Sequence, residues 1–266
     1  MQHASAFTPT VLERWRRREN LLPGLVLVAV AVAAWAYTLR QASGMDGMEG
    51  AMGGMTMSGT VEITLFLVGW MAMMVAMMVP ATLPLMLLYR TIAHKRLSPV
   101  QAQLGMTVLF LGYITVWAVA GFPVYAYNSL AEGAGSLAAV LPASLLIVGG
   151  IYQFTPLKRI CHSRCSSPLF FLMRNWRPGA SGALRLGAIH GVDCLGCCAG
   201  LMVGLVALGM MNLAWMLTAA VIIFVEKTLP DSHRVAYPLG ILMMVSGVVL
   251  LGVSLFGGMQ PGMEPM

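Results

Sequence analysis

Within nine residues, His190-Gly-Val-Asp193-Cys194-Leu-Gly-Cys197-Cys198, the chain carries an imidazole, a carboxylate and three thiols. On an α-helix, positions i, i+3, i+4 and i+7 share a face. His190, Asp193, Cys194 and Cys197 therefore line one stripe, with Cys198 at its edge. Thiolates and imidazoles are soft or borderline donors that suit Cu(I) or zinc. From Leu186 to Val225 the only formal charge is Asp193, so the stripe lies in a stretch apolar enough for a membrane. A carboxylate at the centre of a span costs about 2.5–3.5 kcal/mol on insertion scales, and a bound cation would offset that cost. The CxxC spacing of Cys194 and Cys197 also suits reversible disulfide chemistry. A single cysteine here would be a small packed hydrophobe; the constellation points to metal or redox chemistry.

The remaining cysteines, Cys161 and Cys165, flank His162 beside Lys158, Arg159 and Arg164. At i and i+4 on a helix both would point one way, and neighbouring cations favour reactive thiolates. Methionine is abundant, with 23 residues. Met45, Met48, Met52, Met55 and Met57 punctuate a Gly/Ala/Ser-rich stretch, and Met259, Met263 and Met266 lie in the C-terminal tail. Thioethers are soft ligands that cannot form disulfides in an oxidising compartment, so these segments read as soft-metal scavengers. Met71, Met74 and Met78 form one stripe and Met73 with Met77 another; such stripes read first as packing or lipid-facing material, and second as lining for a metal path. Gly196, Gly200 and Gly204, preceded by Gly187 and Gly191, form a ridge that lets another helix approach closely.

The elements that must position these residues are membrane helices. Of the 266 residues, 58% are hydrophobic and 10% charged, with a mean hydropathy of +0.79. Soluble domains carry about 25% charged residues. Apolar runs of about 20 residues fit helical spans, whereas barrel strands would alternate. Runs at 21–39, 61–80, 104–126, 137–157, 186–208, 209–226 and 236–256 predict an all-α polytopic bundle of about seven transmembrane helices. Pro80 and Pro84 should break or kink the end of the second run, with continuation to Tyr89 open, and a tight turn near Gly209 and Asn212 should divide the fifth run from the sixth. Residues 1–20 form a basic N-terminus, 40–60 a Met/Gly-rich outer loop, 61–257 a six-helix domain holding the Cys/His cluster, and 258–266 a Met-rich outer tail. With the N-terminus inside and the C-terminus outside, 15 of the 16 Lys and Arg residues fall on the inner side; Arg40 is the exception. This is the positive-inside pattern, so the net charge of +6 reflects topology in a bacterial-type inner (plasma) membrane and not nucleic-acid binding. The first run reads as an uncleaved anchor and not as a signal peptide.

Four blocks resemble a family of predicted metal-binding integral membrane proteins known as DUF2182, some members of which are labelled copper chaperones. They are Trp70-Met-Ala-Met-Met-Val-Ala-Met-Met-Val-Pro80 with Pro84; Tyr152-Gln-Phe-Thr155-Pro156-Leu-Lys158 with Cys161 and Cys165; His190-Gly191 through Cys194, Cys197 and Cys198 to Met202; and Gly209 to Met216 leading to Glu226-Lys227. Ala199 stands where the family often has an aromatic residue. The resemblance implies metal binding and brings no established activity.

The expected function is thus soft-metal binding, with copper as Cu(I) the first candidate and zinc the second, and metal transfer or chaperoning at the membrane. No Walker A phosphate loop supplies ATP coupling, and an enzyme is the weaker expectation. Two alternatives stand beside it: a membrane thiol–disulfide oxidoreductase using the CxxC pair, and an assembly partner for a membrane complex. The expected partners are the bilayer, the metal ion and a copper-handling or membrane-complex protein.

Overall fold

A computed structural model describes residues 18–48, 59–95, 97–133, 140–209, 212–228 and 233–256. Its elements are α1 (Arg18–Met48), α2 (Gly59–Ala93), α3 (Pro99–Gly133), α4 (Val140–Tyr152), α5 (Pro156–Cys165), α6 (Pro168–Asn175), α7 (Gly179–Leu208), α8 (Leu213–Thr228) and α9 (His233–Phe256). Every element of the described residues is helical, as expected. Five stretches are long and apolar enough to cross a membrane: Leu21–Arg40, Gly59–Ala93, Pro99–Ala131, Gly179–Leu208 and Arg234–Leu255. A sixth is added if α4 and α5, bent by 69°, count as one. The expected seventh falls short. With 16 residues, α8 is about 24 Å long at about 1.5 Å per residue, less than the roughly 30 Å hydrocarbon core.

Side-chain contacts fix the relative directions. α1 and α2 are antiparallel, since the Trp35 indole meets Ala76 while Gly24 sits beside Leu87. α2 and α3 are antiparallel, through Trp70 beside Gly121 and Tyr89 beside Gly105. α3 and α7 run parallel, with Leu109 at Gly187 and Val116 at Gly191. α4 opposes α7, with Gly149 beside Gly200, and opposes α9, with Gly150 beside Gly240 and Ala143 beside Gly247. Because α7 and α9 are therefore parallel, α8 must carry the chain back between them.

Proline does not end α2. Helix α2 continues through Pro80 and Pro84 to Ala93. Pro80 lacks the N–H that would bond the carbonyl of Ala76, and that carbonyl instead accepts from Trp35 Nε1 at 3.1 Å. The turn at Gly209 and Asn212 forms as expected. Gly209 takes φ +97°, a conformation glycine tolerates without a steric penalty. Asn212 Oδ1 then accepts from the amides of Ala214 and Trp215 at 3.0 and 3.3 Å, capping α8.

The glycine ridge of α7 packs as the spacing requires. A methyl group on Gly200 would stand 2.8 Å from the Gly149 carbonyl oxygen, and one on Gly187 would strike the Leu109 carbonyl. Helix α7 is thereby clamped between α3 and α4. Large apolar side chains point outward all along the bundle, among them Val119 and Phe122 on α3 and Val248 and Val253 on α9. That surface suits lipid, not water.

Candidate metal centre

Helix α7 provides the platform and α5 completes it. The α4–α5 break is built by Thr155-Pro156. Thr155 caps α5 by accepting from the Lys158 amide, and Pro156 occupies the first turn, where its missing N–H is harmless. The 69° bend turns α5 across the middle of α7. Cys165, at the last position of α5, then reaches Cys194 and Cys197 on α7. The three Sγ atoms all lie within 4.8 Å of one another. All three side chains are buried and all are free thiols.

Other groups attend this trio. Lys227 Nζ, near the end of α8, donates to Cys194 Sγ at 3.0 Å. The Tyr113 hydroxyl on α3 hydrogen-bonds the same sulfur at 3.3 Å. An ammonium at that distance compensates a thiolate charge inside a medium that penalises it. Tyr113 was not singled out from the sequence, and Lys227 entered only within the block that resembles the family, because their approach to Cys194 depends on how α3 and α8 pack against α7. A charge in an otherwise apolar run, here Lys227 at the end of α8, was the available signal.

The other expected ligands take different places. Cys198 lies beside the trio, and its thiol donates to the Cys194 carbonyl at 2.9 Å. Cys161 packs over Gly196, where an added methyl would stand 2.6 Å from its sulfur. His190 is buried one turn before Cys194, its ring 5.8 Å from Tyr113 and 5.2 Å from Phe171 on α6. Asp193 is buried and pairs with Arg164, the neighbour of Cys165 on α5, Oδ1 to Nη1, at 3.6 Å. Met45 and Met48 fall on the last turns of α1, while Met52, Met55 and Met57 lie outside the described residues, as do Met259, Met263 and Met266.

Beneath the trio is a second buried charge group. Lys158 Nζ on α5 pairs with Glu226 on α8 at 2.9 Å and donates to Gln153 Oε1. This clasp ties the helix that carries Cys165 to the helix that carries Lys227.

A bundle of apolar helices enclosing three convergent thiols defines a membrane-type protein with a cluster that could hold a metal ion. Its donor set fits a soft ion, since thiolates hold Cu(I) and zinc and reject hard cations. The family model of PpoB2, described as a copper chaperone, matches residues 67–250. The chain belongs to that copper chaperone family, in accord with the label the resemblance implied. No curated protein and no solved structure matches it.

Proposed function

We propose that this chain binds copper as Cu(I) within the inner membrane and passes it on, as a chaperone or transfer protein, without enzymatic turnover. The observation that carries this reading is the convergence of Cys165, Cys194 and Cys197 to within 4.8 Å in a chain of the copper chaperone family. Zinc is the weaker candidate. It is held almost always by four ligands in structural sites, and the convergent group among the described residues offers three. The N-terminus is inside and the C-terminus outside, so the Met-rich segments around Met45 to Met57 and Met259 to Met266 gather metal on the outer side. The thiol trio receives or releases it nearer the inner side, where Arg159, Arg164, Arg174, Arg177 and Arg185 are exposed as the positive-inside pattern demands. Asp193 and His190 support the site through Arg164 and the Tyr113–Phe171 ring packing, and Cys198 and Cys161 stand in reserve beside it.

Metal analysis of detergent-purified protein under reducing conditions tests this. Near-stoichiometric copper is expected, with Cys165→Ser, Cys194→Ser and Cys197→Ser each losing it. A metal-free protein that cycles a Cys194–Cys197 disulfide with a quinone would replace this reading by thiol–disulfide exchange. Capture of one membrane complex by a metal-free protein would replace it by an assembly role.

A further inference from the structure

Most of the buried apolar side chains of the described residues fall into two clusters of opposite character. The cluster that holds the cysteines contains 18 buried residues, and 11 of them carry sulfur: all five cysteines together with Met73, Met74, Met77, Met78, Met202 and Met216. The other cluster, of similar size with 16 residues, contains only Met86 and Met106 among leucines, alanines and aromatics. Generic apolar packing would distribute methionine between the two. Here thioethers are gathered around the thiols.

Their placement is orderly. Trp70, Met73, Met74, Met77 and Met78 follow the i, i+3, i+4, i+7, i+8 spacing of one helical face. All five are buried, with Met74 and Met78 wholly so. Of the two bland expectations for these stripes, packing or lipid-facing, Met73, Met74, Met77 and Met78 take the packing one, and Met71 lies at the edge, partly buried. Trp70 fixes the rotation of α2 by donating from its indole to the Trp117 carbonyl at 2.8 Å. Trp117 in turn packs its ring 6.4 Å from that of Tyr113, which contacts Cys194. Met202 is one turn beyond Cys198 on α7, and Met216 sits in the first turn of α8, on the far side of the thiols from Lys227. Met202 and Met216 thus lie on the Gly209-turn side of the thiol trio, while the α2 thioethers share the buried cluster of the thiols.

We infer that Met74, Met77 and Met78, with Met202 and Met216, form a second, thioether binding region for a monovalent soft cation, adjoining the thiol trio. Its chemistry differs from that of the trio. Thioethers are neutral and soft, so they hold Cu(I) or Ag(I) weakly and do not compete for zinc. Weak neutral sites beside a tight anionic one form a graded path. An ion can move among them without carrying a deprotonated ligand through lipid. The inference rests on the thiol reading above and adds to it the region from which the trio is loaded.

The test uses full-length protein labelled with selenomethionine and loaded with Ag(I), a redox-inert stand-in for Cu(I). Selenium-edge X-ray absorption reports thioethers alone. A selenium–silver shell is expected at Ag(I) beyond the first equivalent. In protein whose Met45, Met48, Met52, Met55, Met57, Met259, Met263 and Met266 are replaced by Leu the shell should persist, and it should be lost on adding Met74→Leu/Met77→Leu/Met78→Leu, which keeps the tightly held first equivalent. The variant Cys165→Ser/Cys194→Ser/Cys197→Ser should retain the shell while losing the tight equivalent. An unchanged selenium edge with silver held by the thiols would overturn the inference and leave the thiol site standing. Protein that binds no silver at all would overturn both.

Discussion

Cys194 is the residue on which the other groups converge. Its sulfur meets Cys165 and Cys197, accepts from Lys227 and touches the Tyr113 hydroxyl. Its backbone carbonyl takes the thiol hydrogens of Cys197 and Cys198 at 3.1 and 2.9 Å. A nearby cation that is not itself a ligand acts by holding the sulfur in place and balancing its charge. Loss of such an orienting partner costs about 10- to 100-fold in metal affinity at known metal sites. Lys227→Gln should therefore weaken Cu(I) binding by about 10-fold or more, measured by competition with a coloured Cu(I) chelator. Lys227→Arg keeps the charge and should recover part of the loss. Equal affinity in all three proteins would remove Lys227 from the site. Cys161→Ser should bind as the parent does, because Cys161 packs over Gly196 and not into the trio.

At the scale of elements, the site depends on α5 lying across α7. The helical stripe of α7 and the turn at Gly209 were legible in the sequence, because both follow from local spacing and turn chemistry. That Cys165 would join the stripe was not. It depends on the 69° bend after Tyr152, and the Thr155-Pro156 pair announces a helix start without giving its angle. Nor was the pairing of Lys158 with Glu226 legible, since the partners are 68 residues apart. The continuation of α2 beyond Pro80 toward Tyr89 was open in the sequence, but the partner that makes it tolerable was not legible. The free carbonyl at Ala76 is served by Trp35 from another helix. Removing one partner of a buried ion pair strands the other, at about 3–5 kcal/mol, whereas replacing both by apolar groups is often neutral. Glu226→Gln should thus lower the midpoint of thermal unfolding in detergent, and Lys158→Met/Glu226→Leu should restore much of it. An intact midpoint in Glu226→Gln would mean that the pair does not clasp α5 to α8. Gly187→Val, which drives a side chain against the Leu109 carbonyl, should also destabilise the bundle, by about 1–3 kcal/mol or more, as overpacking does.

At the scale of the whole molecule, the antiparallel and parallel contacts set an alternating path that agrees with the charge pattern of the loops. Reporter fusions check it directly. Fusions at residue 132 and at the C-terminus should read as periplasmic, and fusions after Arg96 and after Arg177 as cytoplasmic. A cytoplasmic C-terminus would show that α8 does not return the chain across the membrane. Deleting residues 44–58 should slow copper loading at low supply and leave the loaded stoichiometry unchanged at high supply; identical loading at low supply would deny those methionines a gathering role.

The convergence of one thiol from α5 with two from α7 is open to a direct chemical assay. Reduced protein is alkylated with and without one equivalent of Cu(I), unfolded, and mapped by peptide mass spectrometry. Copper should protect Cys165, Cys194 and Cys197 together and leave the labelling of Cys161 unchanged. Protection of Cys194 and Cys197 with Cys165 labelled at its metal-free rate, or no protection at all, would contradict the three-sulfur centre.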